Sequence, residues 1–309
     1  MLEPVTIIVN PVAGKGRARR QAEQATSGLR ERGLEVEVLS TQRAGEAGAL
    51  AERTVENGCR TVLVCGGDGT ISEVLPAIAS TQTLFGVLPF GTANDFARAL
   101  GIPRRLPAVL DRILTAEPAC LDLGRVGDRH FATVAAFGFD ANVSQAMAEG
   151  RAPLSGTIGY LLAALSGLRR YQPPEIHIKG DFGANVERVY LVATANTRSY
   201  GGGMQIAPHA DPTDGLLDVC TVSGEISRAT ALSILPQVFT GGHVRHPAVQ
   251  IRRTRRLRLE PTDNHARAVH ADGEYVADSP VELAVEPGAV RVLGTTIVDR
   301  RERQHALRS

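Results

Sequence analysis

Apolar residues in the first hundred positions fall into two alternating textures. Short runs at Val5–Val9, Val36–Leu39, Thr61–Cys65 and Leu84–Leu88 predict buried strands. Between them, Arg17–Arg32, Glu46–Asn57 and Thr70–Ala79 carry apolar or Ala residues on one helical face and charge on the other, which predicts amphipathic helices. Strand, helix, strand repetition means parallel pairing with right-handed crossovers. The expected fold class is therefore α/β, with a doubly wound, mostly parallel N-terminal domain. Ligands of such sheets sit outside the carboxyl ends of the strands, so the loops beginning at Asn10, Thr41, Gly66 and Pro89 should line one crevice.

From about Cys120 the texture changes to β-type runs at Val189–Ala195, Leu216–Val222, Leu257–Leu259 and Val281–Val285, separated by Gly- and Pro-rich turns. Helical patterns at Ile158–Arg170 and Ile226–Phe239 interrupt them. A second, β-rich domain of two sheets, sandwich-like, is expected. With the boundary between Pro118 and Arg129, the domains are 1–124 and 125–309, the end of the second packing back on the first.

Composition narrows the function classes. The 34 basic and 33 acidic side chains leave a net charge of +1, with no global field of the kind that marks a nucleic-acid binder, so no nucleic-acid partner is expected. A local basic stretch, Arg245, Arg252, Arg253, Arg255, Arg256 and Arg258, has two readings. It could meet anionic headgroups at about 1 kcal/mol per well-placed charge, or it could be the solvated face of a half-buried strand, which the alternation Arg256-Leu257-Arg258-Leu259 favours. Four scattered cysteines suit a reducing cytoplasm. Met1-Leu2-Glu3-Pro4 runs into a strand without the pattern of a secretory signal. The apolar stretch Ile158–Leu168 falls short of the ~20 residues a bilayer needs. Within it, Tyr160–Leu165 suits either a lipid pocket or helical core packing. A cytoplasmic protein is expected.

Three loops carry candidate chemistry. Asn10-Pro11-Val12-Ala13-Gly14-Lys15-Gly16 joins a strand to a helix, where backbone N–H groups and a helix N-terminus can receive phosphate. It is not a Walker loop, because Val9 and Gly16 stand where Gly and Ser or Thr are required. It is not a dinucleotide fingerprint either, because Arg19 replaces a small residue. In Gly66-Gly67-Asp68-Gly69-Thr70 the glycines permit close approach of an anion, and a carboxylate among phosphates calls for a cation between them. Asp68 is therefore a candidate Mg²⁺-associated residue, or else a helix cap. In Pro89-Phe90-Gly91-Thr92-Ala93-Asn94-Asp95-Phe96, Thr92 and Asn94 can donate to phosphate or cap the next helix.

These three motifs, in this order, resemble the diacylglycerol kinase catalytic domain shared with sphingosine and ceramide kinases, whose first domain is similar to that of NAD kinases. The resemblance implies an ATP- and Mg²⁺-dependent lipid kinase with the nucleotide in a cleft between the domains. It places ATP contacts at Asn10 to Gly14, Thr41, Gly66 to Ser72 and Thr92, with Pro11, Gly67, Gly69, Thr70 and Asn94 in the same loops. The acceptor implied is a membrane lipid such as diacylglycerol, reached by peripheral contact with the inner face of the membrane. A homodimer is permitted. Farther on, Gly201-Gly202-Gly203 to Pro208, then Asp211-Pro212-Thr213-Asp214-Gly215-Leu216, is similar to the family's metal-binding turn. That implies a structural Mg²⁺ held by the Asp214 carboxylate and the Asp211 and Leu216 carbonyls, while a plain Asp-Gly turn is the alternative. Asp272-Gly273-Glu274 matches the segment that supplies a carboxylate to the cleft. Glu274 is the expected base, with Asp272 orienting or assisting through the metal. Asp68 takes the base role in the sphingosine-kinase branch. An NAD kinase-like enzyme and a catalytically silent nucleotide- or lipid-binding regulator are the alternatives.

Overall fold

The computed structural model describes residues 2–139, 167–168, 171–263 and 265–297. The chain forms two compact units, one of residues up to Asp122 together with those from Pro287 onward, the other of Leu123–Glu286.

In the first unit the predicted alternation is realised as β1 (Val5–Val9), α1 (Arg17–Arg30), β2 (Val36–Ser40), α2 (Glu46–Glu56), β3 (Thr61–Gly66), α3 (Asp68–Ile78), β4 (Leu84–Pro89), α4 (Asp95–Ala99) and α5 (Leu106–Thr115). The strands run parallel in the order β2-β1-β3-β4. The apolar runs β1, β3 and β4 are buried throughout, as strands covered on both faces must be. The edge strand β2 exposes Glu37 and Ser40. Ala18, Ala22, Ala25 and Leu29 form the buried stripe of α1, whose small residues let the helix lie close to the sheet. From β1 the chain moves outward to β2, then returns to place β3 on the other side of β1. That reversal is the switch point at which sheets of this kind open a crevice.

The second unit contains the second half of β5 (Ala119–Val126), then β6 (Arg129–Phe131), β7 (Val134–Gly138), β8 (Glu175–Gly180), β9 (Gly183–Ala195), β10 (Leu217–Ser223), α6 (Arg228–Ile234), β11 (Val249–Thr254), β12 (Arg256–Pro261), β13 (Ala268–Ala271), β14 (Glu274–Asp278) and the first half of β15 (Val281–Val292). One antiparallel sheet runs β14-β13-β7-β9-β10-β11, and the other runs β9-β8-β12-β15. The long strand β9 serves both, pairing β8 through Gly183–Arg188 and β7 and β10 through its later residues. Ile176, Ile178, Leu257, Leu259 and Leu283 of one sheet share a core with Ala135, Phe137, Val192, Val219 and Val269 of the other. This is a two-sheet sandwich. From Pro287, β15 belongs to the first unit, where Arg291 and Val292 lie parallel to Leu84 and Phe85 of β4.

The helical pattern at Ile226–Phe239 is split. Ser227 caps α6 by accepting from the Thr230 N–H at 3.1 Å, and the chain then tightens into a 3-10 helix at Leu235–Thr240. Pro236 has no N–H for an i−4 bond, which ends the α-helical ladder. The pattern at Ile158–Arg170 lies outside the described residues apart from Gly167 and Leu168, as do Tyr160–Leu165. Among the described residues no helix is long and apolar enough to cross a membrane.

The alternation Arg256-Leu257-Arg258-Leu259 forms the half-buried strand β12, while Arg252 and Arg253 lie in β11. Leu257 and Leu259 are buried, and Arg258 pairs with Glu260 at 3.1 Å and Glu282 at 2.9 Å. Arg252 holds Glu187 through two bonds of 2.7 and 3.1 Å, and its guanidinium lies 4.7 Å from the centre of the Phe182 ring. Half of the six arginines are thus matched to acids, counting Arg253 with Asp214.

Candidate functional site

Main-chain hydrogen bonds bring the predicted loops of the first unit to one sheet edge. Asn10 N–H donates to Cys65 O at 3.0 Å, Thr41 N–H to Val9 O at 2.9 Å and Phe90 N–H to Gly66 O at 3.1 Å. The Asn10 side chain then joins two loops, accepting from Val12 N–H at 3.3 Å and donating to Thr70 Oγ1 at 3.2 Å. Pro11 opens the turn that follows Asn10.

The glycines touch. A Cβ on Gly14 (φ +59°) would fall 2.1 Å from the Phe90 carbonyl oxygen, and one on Gly91 would fall 2.3 Å from Gly67 Cα. A Cβ on Gly66 would meet Thr70 Oγ1 at 2.7 Å. No side chain larger than hydrogen fits where the three loops meet. Lys15 also adopts a left-handed backbone, φ 60°, between Gly14 and Gly16. Gly67, Asp68 and Gly69 remain half-buried and Thr92 is exposed, whereas Thr41 and Thr70 are buried. Asp68 is the carboxylate within the glycine loop.

Asp68 opens α3, yet its Oδ1 accepts from Phe96 N–H at 3.1 Å, so it caps α4 from a neighbouring loop. The reason lies in Asn94, for which donation to phosphate and helix capping are the two expected roles. Asn94 has a left-handed backbone, and its amide closes the Gly91–Asn94 loop instead, accepting from Gly91 N–H at 2.8 Å and donating to Gly91 O at 2.9 Å.

In the second unit Asp272 and Gly273 form a two-residue turn between β13 and β14, with φ 51° and 87°. Asp-Gly is the sequence that such a left-handed hairpin turn favours. Glu274 is the first residue of β14, half-exposed, with its Oε2 3.7 Å from Arg129 Nη2. The Asp272 carboxylate points away from the turn, accepting from Ala132 N–H at 2.7 Å and from Thr133 N–H and Oγ1 at 2.8 and 2.5 Å.

The Asp211–Leu216 turn is bound by its own carboxylates. Asp211 Oδ1 accepts from Thr213 N–H at 3.1 Å and Oγ1 at 2.7 Å, and Asp214 Oδ1 accepts from Leu216 N–H at 3.0 Å. Arg253 bonds Asp214 Oδ2 and lies 3.8 Å from Asp218 Oδ2. Among the described residues no group of three or more His, Cys, Asp and Glu side chains could hold a metal. An ion here would rely on main-chain oxygens and would compete with Arg253 for Asp214. Burial, and then the charge of Asp211, push the Asp218 carboxyl up to about 6. The folded state therefore binds this proton more tightly than the unfolded chain, and stability falls as pH rises from about 4 to about 6. Asp218→Asn should gain melting temperature over the wild type at pH 7 and lose that advantage near pH 4. A difference independent of pH would refute the shift.

Sequence reasoning passed over Asp122, Arg129, Thr133 and Asn196. Asp122 is fully buried and accepts from Gly288 N–H at 2.8 Å. Asn196 directly follows β9, and nothing in the apolar pattern marks it.

Residues 4–126 match the diacylglycerol kinase catalytic domain, and residues 133–294 match the YegS C-terminal NAD kinase beta sandwich-like domain. A diacylglycerol kinase of Mycobacterium tuberculosis is 36% identical over 297 residues, covering 94% of each chain. One from Staphylococcus aureus (strain MRSA252) is 29% identical, covering 92% of this chain and 90% of that protein. A crystal structure of a diacylglycerol kinase from Bacillus anthracis shares the fold, with a TM-score of 0.77 at 22% identity, covering 95% of this chain and 98% of that one.

Proposed function

The chain belongs to the diacylglycerol kinase-like family of lipid kinases, and from that premise we propose that it is an ATP- and Mg²⁺-dependent kinase acting on the hydroxyl of a membrane lipid such as diacylglycerol. The observation that carries this reading is the contact of Gly14 with Phe90 and of Gly67 with Gly91, which brings the glycine loops together with no Cβ between them, as close approach of a nucleotide's phosphates to main-chain amides would require. Asn10, Pro11, Gly14, Thr41, Gly66, Gly67, Gly69, Thr70 and Thr92 belong to this nucleotide surface. Asn94 serves it indirectly, by fixing the Gly91 peptide.

Magnesium, when bound with ATP, would neutralise charge on the transferring phosphoryl group. The half-buried Asp68 carboxylate fits a hard cation, which typically takes one or two carboxylates and completes its shell with phosphates and water. Glu274 takes the proton of the acceptor hydroxyl. Its half-exposed position leaves it reachable by a substrate. At the Asp211–Leu216 turn, a structural Mg²⁺ held by Asp214 and the Asp211 and Leu216 carbonyls would have to displace Arg253 from Asp214. Asp214→Ala should lower the melting temperature and its response to added Mg²⁺. A wild type that melts identically with Mg²⁺ and with chelator would reduce the site to a turn.

Peripheral membrane contact would draw on Arg245, Arg255 and Arg256, the arginines not matched to acids above. A homodimer is compatible with this reading. The deciding experiment is radiolabelled phosphate transfer from ATP into a total lipid extract, with identification of the product. A labelled lipid is expected. Consumption of ATP with NAD but not with dispersed lipid would favour the NAD kinase-like alternative. ATP binding without transfer across a lipid panel would favour a silent regulator.

A further inference from the structure

The connection between β6 and β7 is held from two sides by side chains of the second unit. The Asp272 carboxylate takes three donors from it: Ala132 N–H, Thr133 N–H and Thr133 Oγ1. From the other side Asn196 Nδ2 donates to Ala132 O at 2.9 Å, while the Asn196 and Thr197 N–H groups donate to Thr133 O at 2.8 and 3.3 Å. Asp272 N–H also donates to Val134 O at 3.0 Å. Thr133 and Asn196 are 4% and 1% exposed, too enclosed to meet a substrate. Both ends of the bonded set matter. One end is the left-handed turn whose next residue is Glu274, and the other follows β6, whose Arg129 approaches Glu274 at 3.7 Å. A carboxylate with all these donors on one side has its orientation fixed, and with it the two-residue turn.

We infer that Thr133 and Asn196 are positioning residues for Glu274, acting through the Asp272 carboxylate and the Ala132–Thr133 peptides. This inference rests on the reading of Glu274 as the base. On this account Asp272 aims the hairpin, so its contribution to transfer does not pass through a metal. The Thr133 hydroxyl supplies one of the three donors that hold it, and Asn196, bonded to Ala132 O, fixes the peptide that supplies a second, the Thr133 N–H.

Full-length enzyme carrying Thr133→Val, Thr133→Ser, Asn196→Ser or Glu274→Gln, and the double variant Thr133→Val/Glu274→Gln, tests this with ATP and the lipid identified in the extract assay. Thr133→Val keeps the shape and deletes the hydroxyl. It should lose roughly 10–100-fold in kcat, the scale on which an ångström of misplacement acts. KM for ATP and the Mg²⁺ concentration giving half-maximal rate should stay within twofold. Thr133→Ser, which keeps the hydroxyl, should recover most of the rate, and Asn196→Ser should repeat the Thr133→Val pattern if the valine variant folds poorly. The double variant should be no slower than Glu274→Gln alone, because residues acting as one unit are not additive. Wild-type turnover in both Thr133→Val and Asn196→Ser, a fully additive double variant, or a shifted Mg²⁺ requirement in Thr133→Val would each overturn the inference. Failure of the underlying base assignment shows separately, as near-wild-type transfer by Glu274→Gln alone.

Discussion

Glu274→Gln is expected to bind ATP nearly as the wild type does and to lose on the order of 10²–10⁴ in turnover, the contribution of a well-placed general base. The substitution keeps the side chain's length and shape and removes its charge. Glu274 lies at a strand start, half-exposed, with Arg129 3.7 Å away. A loss of rate would then report chemistry. Asp68→Asn makes the informative contrast. An asparagine oxygen can still accept from Phe96 N–H, so the cap on α4 survives while the charge disappears. If Asp68 faces the ion carried by the nucleotide, this variant should weaken Mg²⁺-ATP binding as well as transfer. Nucleotide affinity and single-turnover rate, measured on both variants, separate the two roles. Near-wild-type transfer by Glu274→Gln, beside an inactive Asp68→Asn that still binds Mg²⁺-ATP, would move the base to Asp68.

The first unit was legible because its signals are local. A buried parallel strand reads as an unbroken apolar run, so β1 was readable to the residue and β3 and β4 to within one. Topology then brought the loops to one edge without long-range information. The second unit was less legible for a physical reason. Strand β7, Val-Ala-Ala-Phe-Gly, is rich in residues of low strand propensity and owes its place to pairing with β9 and β13, distant in sequence. The same limit hid the hold on Ala132 and Thr133. Asp272 was legible from its Asp-Gly turn, but its partners lie 139 and 140 residues away. Asn94 shows the converse. Its type and position suit a phosphate donor or a helix cap, yet a left-handed backbone turns its amide onto Gly91 and leaves the capping to Asp68. Residue type announced a hydrogen-bonding role, but only the fold decided the partner.

Gly14→Ala should cost on the order of 10–100-fold in ATP affinity while leaving the protein folded. Two effects combine at this position. The left-handed backbone, φ +59°, disfavours any Cβ by about 1–2 kcal/mol. The new methyl would also overlap the Phe90 carbonyl oxygen, a main-chain atom that cannot rotate away, and relief of such overpacking typically costs about 1–3 kcal/mol. The loops after β1 and β4 must therefore separate. Since about 1.4 kcal/mol is tenfold in a binding constant, even part of this strain accounts for the expected loss if the loop amides it displaces are those that ATP needs. Gly16→Ala is the control: its backbone is also left-handed, φ +83°, but nothing lies within 4 Å of the added carbon. It carries the strain without the overlap and should weaken ATP only a few-fold. Gly91→Ala, whose methyl would meet Gly67 Cα at 2.3 Å, should resemble Gly14→Ala although it lies in a different loop. Calorimetric ATP titration of the three variants, with melting temperatures to confirm folding, decides the matter. Equal affinities in Gly14→Ala and Gly16→Ala would mean that the contact between the loops does not shape the nucleotide surface.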